Sequence, residues 1–233
     1  MAGGEVTGSG AWNARRTLCA ALSRDLHAVY PRSCPMTEII LASQSAARQA
    51  MLRQVGVPFR AVPARIDEEA IRASLLAEDA TPRDVADGLA EFKARRVAEK
   101  HGDAIVIGSD QVLEFKGQLL GKPADRAEAA DQLRMLRGER HRLLSAVVVY
   151  DGGRPVWRFT GEVRLTMQPI TDGYMAAYLD RNWPDVADSV GGYKLESEGA
   201  RLFSRIEGDY FTVLGLPLLE LLAYLGNRGV LAR

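Results

Sequence analysis

"IVIGSDQVLEFKGQLLGKP", residues Ile105–Pro123, is the stretch that most constrains the fold. Its first residues are β-branched and uninterrupted, as in a strand that is covered on both faces of a sheet. We expect this strand to end at Asp110 and the chain to return through a glycine-bounded connection to Lys122. An ordinary hairpin with a capping aspartate and a solvated lysine has the same pattern, so the rest of the sequence must decide between a structural and a functional role.

The composition describes a globular chain with no overall charge. The protein has 233 residues, of which 47% are hydrophobic, enough to build a substantial core. Its 30 basic residues balance 30 acidic ones, so no global field would attract a nucleic acid polymer or an anionic membrane. Any binding of anions must therefore depend on a local cluster.

Cysteine usage and hydropathy indicate a cytoplasmic protein. The two cysteines, Cys19 and Cys34, form neither a disulfide framework nor a metal-type pair. No apolar run approaches the ~20 residues that span a bilayer, and the first residues lack the apolar region of a signal peptide. We interpret residues 1–36 as a poorly ordered or accessory extension and residues 37–233 as the functional domain.

The segment that follows the extension predicts a strand, a polar turn and a helix. "EIILAS" is a short apolar run that ends in Ser43, and "SAARQAMLRQVG" predicts a helix that ends at Gly56. Ser43, Ser45 and Arg48 then lie where backbone N–H groups are unpaired and the helix dipole is positive, a natural site for an anion. Either serine could equally be a simple N-cap.

Two further helices follow an acidic turn. "FRAVPARIDEE" predicts an extended segment that runs into Asp67–Glu69 and then a helix. The next helix, "TPRDVADGLAEFKARRVAEKHG", has Thr81 as its N-cap and Pro82 at its first position. Its expected buried face comprises Val85, Leu89, Phe92 and Val97. Lys93 borders this face, and a lysine in that position usually extends to water.

The second half of the chain mixes strands and helices without a strict repeat. "RAEAADQLRMLRG" and "TDGYMAAYLDRN" predict helices, and "HRLLSAVVVYDGGRPVWRFTGEVRLTMQPIT" predicts two long strands. We expect a strand pair in "GARLFSRIEGDYFTVLG" and a closing helix in "LPLLELLAYLG". The order predicts an α/β fold with a mixed sheet flanked by helices and two lobes around a central cleft.

Several familiar chemistries lack their motifs. "GQLLGKP" imitates a phosphate-binding P-loop, but only three residues separate its glycines and Pro123 follows the lysine. The sequence has no GxSxG, HExxH or zinc deaminase motif, which argues against serine hydrolases, zincins and deaminases. Its three histidines are scattered, and an isolated histidine is more often structural than catalytic.

What remains is a set of polar residues at the ends of predicted elements. The hydroxyl and cationic members are Ser43, Ser45, Arg48, Lys93 and Lys122, and the acidic members are Asp67, Glu68 and Asp110. Cations can clamp a polyphosphate, whereas carboxylates can hold a divalent metal and orient a water molecule. Together these groups meet the requirements of phosphoanhydride hydrolysis.

Six ordered motifs resemble those of one family, the Maf nucleoside triphosphate pyrophosphatases, whose architecture is that of the inosine triphosphate pyrophosphatases. The resemblance runs from about Glu38 to about Leu225. It is carried by "LASQSAARQAMLRQVGVPF", "ARIDE", "EFKARRVA", "VIGSDQV", "LLGKP" and "IEGDYFTVLGLPLLEL". Their order makes them far more specific together than any one of them is alone.

The resemblance implies a role for each matching residue. It makes Asp110 the proton acceptor and assigns Glu68, with Asp110, to a divalent cation, Mg²⁺ or Mn²⁺. It assigns the triphosphate to Ser43, Ser45, Arg48, Lys93 and Lys122. The two lysines would also be catalytic, because they neutralise charge that develops on the phosphates. The products would be a nucleoside monophosphate and pyrophosphate.

Three departures from the common family pattern bear on the substrate. Where many relatives have "SPRR", "GADT" and "YGIQG", this chain has "SAAR", "GSDQ" and "YKLES", so Ala47, Gln111 and Glu196 stand at the altered positions. The combination of Gln111 and Glu196 resembles that of the family branch that acts on 7-methyl-GTP. A carboxylate suits this base, because methylation at N7 gives the ring a positive charge. The alternative substrates are dTTP and UTP.

Two other classes of function stay open. The protein could bind nucleotides as a regulator of cell division without turnover, although the retained lysines and Asp110 argue against an inactive site. It could also be a structural α/β module with capping serines and solvated lysines. If the protein is a pyrophosphatase, we expect its partner to be a nucleoside triphosphate substrate. We expect it to bind neither a nucleic acid polymer nor a membrane. A homodimer is compatible with the sequence.

Overall fold

The computed structural model describes residues 37–231, and these form an α/β fold. The predicted extension, residues 1–36, lies outside the described residues. A central mixed sheet has helices packed on its faces, which confirms the predicted fold class.

The sheet of the described region has seven strands. They are β1 Ile39–Leu41, β2 Arg60–Ala61, β3 Ile105–Phe115, β4 Gln118–Leu120, β5 Arg140–Asp151, β6 Arg154–Met167 and β7 Phe203–Glu207. The order across the sheet is β2-β1-β3-β5-β6-β7, and β4 pairs with β3 outside this path. β1 is parallel to β2 and β3, whereas the other pairs are antiparallel.

The helices begin and end close to their predicted signals. They are α1 Ala46–Gln54, α2 Glu68–Ala77, α3 Pro82–Ala98, α4 Arg126–Leu136, α5 Asp172–Asn182, α6 Tyr210–Val213 and α7 Leu218–Asn227. Three 3-10 helices span Asp185–Asp188, Val190–Gly192 and Glu198–Leu202. Thr81 caps α3 in a capping box with Asp84, as its sequence predicts for Thr81. Within residues 37–231 no helix combines the length and apolarity that crossing a membrane requires.

The prediction that the central strand ends at Asp110 is wrong. β3 continues to Phe115 and pairs with β5 as far as Glu114, opposite Arg142. The strand continues because β5 runs alongside it, and each residue from Gln111 to Glu114 pairs with a residue of β5. The turn to β4 lies at Lys116 and Gly117, both with positive φ, so Lys122 follows a true hairpin.

The prediction of a strand pair near the C-terminus is also wrong. Only β7 forms there, antiparallel to β6, after the 3-10 helix Glu198–Leu202. The expected second strand is the short helix α6, whose N-terminus is capped by Asp209 through the backbone N–H of Thr212. The cap outweighs the β propensity of the aromatic and β-branched residues in that segment.

Within residues 37–231, three apolar clusters pack on the faces of the sheet. On one face, α3 covers a cluster that includes Val106 and Val148. On the other face, α1 and α7 cover Ile107 and Val149, whereas α4 and α5 cover a separate cluster around Leu113. The same-face positions between these last two clusters are polar, namely Ser109, Gln111 and Ser145. The cleft opens where the apolar face is interrupted.

Candidate active site

The turn between β1 and α1 is shaped by two serines. Ser45 caps α1, because its hydroxyl accepts a hydrogen bond from the Arg48 backbone N–H at 3.4 Å. The Ser45 backbone N–H in turn donates to the Ser43 hydroxyl at 3.2 Å. The N-cap role is therefore present in the same turn as the expected anion site, because the positive end of the α1 dipole there favours an anion.

Arg48 is held rigidly at the base of this turn. Its Nε donates to the carbonyl oxygen of Gly215 at 2.7 Å, and its Nη1 donates to the carbonyl oxygen of Ser109 at 3.1 Å. Burial lowers the pKa of Arg48, and the charges of Asp110 and Glu68 oppose that effect. Gly215 has φ +97°, a backbone conformation that favours glycine, and a Cβ there would lie 3.2 Å from Arg48 Nη2.

Lys93 lies between two carboxylates. Its Nζ is 2.6 Å from Asp110 Oδ1 and 3.0 Å from Glu68 Oε2, and both Lys93 and Asp110 are buried. Lys93 does not extend to water, as a lysine at the edge of an apolar helix face usually does, because its charge is compensated inside the protein. Phe92, expected on the buried face of α3, is instead only half-buried.

The close approach of α3 to β3 brings Lys93 and Asp110 together. A Cβ at Gly108 would lie 2.2 Å from the carbonyl oxygen of Ala90 and 2.8 Å from the Ala94 Cβ. Only glycine permits this distance between helix and strand. Lys93 on α3 therefore reaches Asp110, which lies two residues after Gly108 on the same face of β3.

Glu68 and Asp110 are oxygen donors of the type that divalent cations bind, and both contact Lys93 Nζ. Burial would raise the pKa of Glu68, but the charge and hydrogen bond of Lys93, with the charges of Lys122 and Arg48, hold it below its usual value. Asp110 Oδ2 is buried and has no hydrogen-bond partner among the described residues. In that region no three His, Cys, Asp or Glu side chains converge on a metal position. A cation such as Mg²⁺, which prefers oxygen, would thus need ligand or water oxygens besides two carboxylates.

Two adjoining cavities bring the predicted site residues together. The first, here the cationic cavity, is about 380 Å³ and includes Ser43, Ser45, Arg48, Glu68, Lys93 and Lys122 in its lining. The second, here the Tyr193 cavity, is about 170 Å³ and includes Ser45, Arg48, Lys93, Asp110, Gln111, Lys122 and Glu196. Every residue to which the resemblance assigned a role therefore lines at least one of the two cavities. Asp67, the remaining acidic candidate, lines neither and instead caps α2 by accepting a hydrogen bond from the Ala70 backbone N–H.

Gln111 has a fixed amide orientation. Its Nε2 donates to the carbonyl oxygens of Thr212 and Val213 at 3.1 and 2.9 Å, and to the Ser145 hydroxyl at 2.9 Å. Because carbonyl oxygens only accept, the reversed amide would place oxygen against oxygen. The amide oxygen is therefore the group that Gln111 has left for a ligand in the Tyr193 cavity.

Some lining residues were not predicted from the sequence. Tyr193 and Lys194 line the Tyr193 cavity, Arg65 lines the cationic cavity, and Asp188 lines both. The Tyr193 hydroxyl hydrogen-bonds the buried His141 Nε2 at 2.8 Å, which fixes the ring in the wall. Tyr193 and Lys194 belong to "YKLES", and Arg65 belongs to "ARIDE", so closer attention to the other members of each motif would have found three of them.

Fixed cations, an anion-binding turn and paired carboxylates in one cleft are suited to a phosphorylated ligand. The fold and site thus define a class: an α/β protein whose cleft carries a side rich in cations and hydroxyls and a second, mixed apolar and polar side. A sequence model of the Maf-like proteins matches residues 38–228. The chain belongs to the Maf family.

Curated relatives are similar over nearly their whole length. A nucleoside triphosphate pyrophosphatase of Roseobacter denitrificans is 57% identical over 195 residues, which are 84% of this chain and 98% of that protein. One from Ruegeria pomeroyi is 54% identical over 193 residues, 83% of this chain and 97% of that protein. A 7-methyl-GTP pyrophosphatase of Rhizobium meliloti is 46% identical over 193 residues, again 83% and 97%. The solved Ham1 protein of Staphylococcus aureus aligns with 82% of this chain and all of its own, at a TM-score of 0.46 and 15% identity.

Proposed function

We propose that this protein hydrolyses 7-methyl-GTP between the α and β phosphates to 7-methyl-GMP and pyrophosphate. The family membership and the similar relatives already assign the general activity: the protein is a nucleoside triphosphate pyrophosphatase, a hydrolase. The observation that carries the proposal is that acids and cations from distant parts of the chain line one cavity, which adjoins a second cavity with Gln111 and Glu196.

The cationic cavity would bind the triphosphate. Lys122 forms no hydrogen bond or ion pair in the described part of the chain, so its charge is available to the phosphates. Ser43 and Ser45 shape the anion-binding turn, and Arg48 presents a guanidinium that the fold has already oriented. Because these groups are held before substrate arrives, they stabilise the charge of the transition state at little cost in reorganisation.

Asp110 would accept the proton of the attacking water. One of its oxygens is paired with Lys93, which keeps the carboxylate oriented, and the other has no partner among the described residues and is free to receive a proton. The attack breaks the bond from the α phosphorus to the bridging oxygen, and the electron pair leaves with pyrophosphate. Lys93 and Lys122 neutralise the charge that accumulates on the leaving group.

We further propose that Glu68 and Asp110 hold Mg²⁺ or Mn²⁺ with oxygens of the substrate. A bound cation of this kind lowers the pKa of a coordinated water and neutralises phosphate charge. Two carboxylates, with no third acidic, histidine or cysteine ligand beside them among residues 37–231, match the manner in which Mg²⁺ is bound with substrate phosphates.

The Tyr193 cavity would take the base. Gln111 offers an amide oxygen and Glu196 a carboxylate, and Glu196 makes no ion pair or hydrogen bond through its side chain within residues 37–231. Guanine offers both a ring N–H and an amino group to such acceptors, whereas uracil and thymine offer one ring N–H. Methylation at N7 adds a positive charge that the Glu196 carboxylate stabilises. These features favour 7-methyl-GTP over dTTP or UTP.

Removal of modified nucleotides before polymerases use them, in the cytoplasm, is the cellular role we propose. Such a role requires discrimination against the unmodified nucleotide, because unmodified GTP is needed elsewhere. Glu196 is the residue to which we assign that discrimination.

A nucleotide screen tests the proposal. Pyrophosphate release from 7-methyl-GTP, GTP, dTTP and UTP should be measured with Mg²⁺ or Mn²⁺ and with a chelator. We expect kcat/KM for 7-methyl-GTP to exceed that for GTP by about tenfold or more, which corresponds to about 1.4 kcal/mol, and no release with the chelator. The E196Q variant should lose most of this preference.

Exposed Glu78 on the surface provides the matched control, since E78Q removes the same charge outside both cavities. It should keep the preference of the unchanged protein. Faster hydrolysis of dTTP or UTP than of 7-methyl-GTP would assign the alternative substrate class, and nucleotide binding without any pyrophosphate release would contradict turnover altogether.

A further inference from the structure

Asp188 occupies a special position in the cleft. It ends the 3-10 helix Asp185–Asp188 and lines both the cationic cavity and the Tyr193 cavity. The residues shared by the two linings are Ser45, Arg48, Lys93, Lys122 and Asp188. Among residues 37–231, Asp188 is thus the one acid that both linings have in common, and it lies there with hydroxyl and cationic groups.

Asp188 lies where the sugar of a nucleotide would pass if its base and phosphates occupy the two cavities. On the function proposed above, phosphates fill the cationic cavity and the base enters the Tyr193 cavity. The sugar joins base and phosphates, so it must pass the boundary between the two cavities. A carboxylate there repels phosphate oxygens but accepts hydrogen bonds from hydroxyl groups.

One oxygen of the carboxylate is paired with a lysine, and the Asp188 side chain is otherwise 62% exposed. Lys194 Nζ contacts Asp188 Oδ1 at 3.1 Å and Asp185 Oδ1 at 3.0 Å, and the Lys194 side chain is only 18% exposed. This fork ties the 3-10 helix to the segment that carries Glu196. Asp188 Oδ2 makes no hydrogen bond to any described residue, so this oxygen is available to a ligand.

We propose that Asp188 recognises the ribose of the substrate by accepting hydrogen bonds from its vicinal 2′- and 3′-hydroxyls. The residue thereby selects ribonucleotides over deoxy- and dideoxynucleotides. Lys194 acts as a positioning residue that holds Asp188 at the boundary of the cavities. The inference rests on the proposed function, since it requires the base and phosphates to lie in the cavities assigned to them.

A series that varies only the sugar tests this selection. kcat/KM should be measured for GTP, 2′-deoxy-GTP and 2′,3′-dideoxy-GTP. Hydrogen bonds to a charged acceptor are among the stronger ones in proteins, so we expect GTP to exceed the dideoxy nucleotide by about tenfold or more. In D188A the difference should shrink to about twofold, and in D188N, which keeps one acceptor oxygen, it should be intermediate.

Asp185 supplies the matched control. It shares the ion pair with Lys194 but lines neither cavity, so D185A should keep the discrimination of the unchanged protein. If D185A loses it too, the effect arises from a weakened wall and the proposal is wrong. A changed metal concentration for half-maximal activity in D188A, with unchanged sugar discrimination, would make Asp188 a metal ligand instead.

Binding separates this inference from the proposed function. Calorimetric Kd values for GTP and dideoxy-GTP on the D110N variant, with and without D188A, report the same discrimination without turnover. Equal Kd values for the two nucleotides in D110N would overturn ribose recognition even where pyrophosphate release is normal. A tenfold difference that D188A abolishes supports it even if no pyrophosphate is released by any variant.

Discussion

Lys93 and Asp110 illustrate how a buried charge pair is tolerated when a second carboxylate also compensates the ammonium. A single lysine at the edge of an apolar helix face would extend to solvent, because an unpaired buried charge is costly. Here Glu68 joins the pair and compensates the ammonium from a second direction. The arrangement holds two carboxylates of the site near each other.

The D110N variant tests the role of the buried acid. The amide keeps an acceptor for Lys93 but cannot take a proton from water, so we expect kcat to fall by about 10²- to 10⁴-fold. The protein should still fold, because the lost charge costs on the order of 1–3 kcal/mol of an overall stability of about 5–15 kcal/mol. Pyrophosphate release and a thermal unfolding curve measure the two effects.

Asp103, exposed in the loop before β3, provides the matching control. The D103N variant removes a similar charge and should keep both turnover and melting temperature. Near-normal turnover in D110N would show that another group accepts the proton.

At the residue scale the sequence could predict identities but not all orientations. Ser45 as an N-cap follows from its place before a helical run, and the structure places it there. The amide orientation of Gln111 could not be predicted, because its acceptors, Thr212 and Val213, lie about a hundred positions away in the chain. The burial of Lys93 likewise depends on a carboxylate, that of Asp110, which reaches it only through tertiary packing.

Among the elements, α3 and β3 carry the main packing contact of the site. Gly108 lets the helix backbone approach the strand, with Ala90 and Ala94 as the facing small residues. Small residues on both sides place Lys93 within reach of Asp110. A larger side chain at any of these positions would separate the two elements.

The G108A variant should therefore damage stability and activity together. Its Cβ would lie 2.2 Å from the Ala90 carbonyl oxygen, and backbone cannot move aside cheaply. We expect the free energy of unfolding to fall by about 3 kcal/mol or more, since overpacking of a tight core has costs of this order. Turnover of the protein that remains folded should also fall, because Lys93 is displaced from Asp110. Denaturant unfolding and pyrophosphate release are the measurements.

Gly173, near the start of α5, allows the matched substitution, since a Cβ there meets nothing within 4 Å. G173A should be neutral or stabilise by up to about 1 kcal/mol, as expected when alanine replaces a helical glycine. If G108A proves as stable as G173A, the close approach of α3 and β3 does not limit the fold.

Helices were easier to predict than the ends of strands. Caps and stop signals are local, so the limits of α1 and α3 follow from Ser45, Gly56 and Thr81. The end of β3 is not a local property, because it depends on how far β5 accompanies it. The segment at Phe211 has β-forming residues, yet Asp209 caps it as a helix.

At the scale of the whole molecule, one buried histidine connects stability to pH. His141 on β5 is 1% exposed and packs against Tyr193 and Phe203, in the cluster covered by α4 and α5. Burial lowers its pKa from 6.5 to about 4, although the charge of Glu114 partly opposes the shift. Folding therefore favours the neutral ring, which accepts or donates one hydrogen bond with the Tyr193 hydroxyl.

The sign of the pH effect follows from this lowered pKa. Below pH 6.5 the unfolded chain takes up a proton at His141 that the folded protein does not, so the free energy of unfolding falls as the pH drops toward 4. Between pH 7.5 and pH 5 this one group should cost about 2 kcal/mol of stability. Denaturant unfolding at the two pH values should show a smaller loss, by about that amount, in H141Q than in the unchanged protein. Gln can still hydrogen-bond Tyr193, so H141Q should fold, with a lower stability at pH 7.5 because the ring contact to Phe203 is lost.

The H101Q variant, whose site lies outside all three apolar clusters, should keep the full pH dependence. An equally steep loss in H141Q would assign the acid sensitivity of the fold to other groups, of which Asp110 and Glu68, the carboxylates that contact Lys93, would be the next to test.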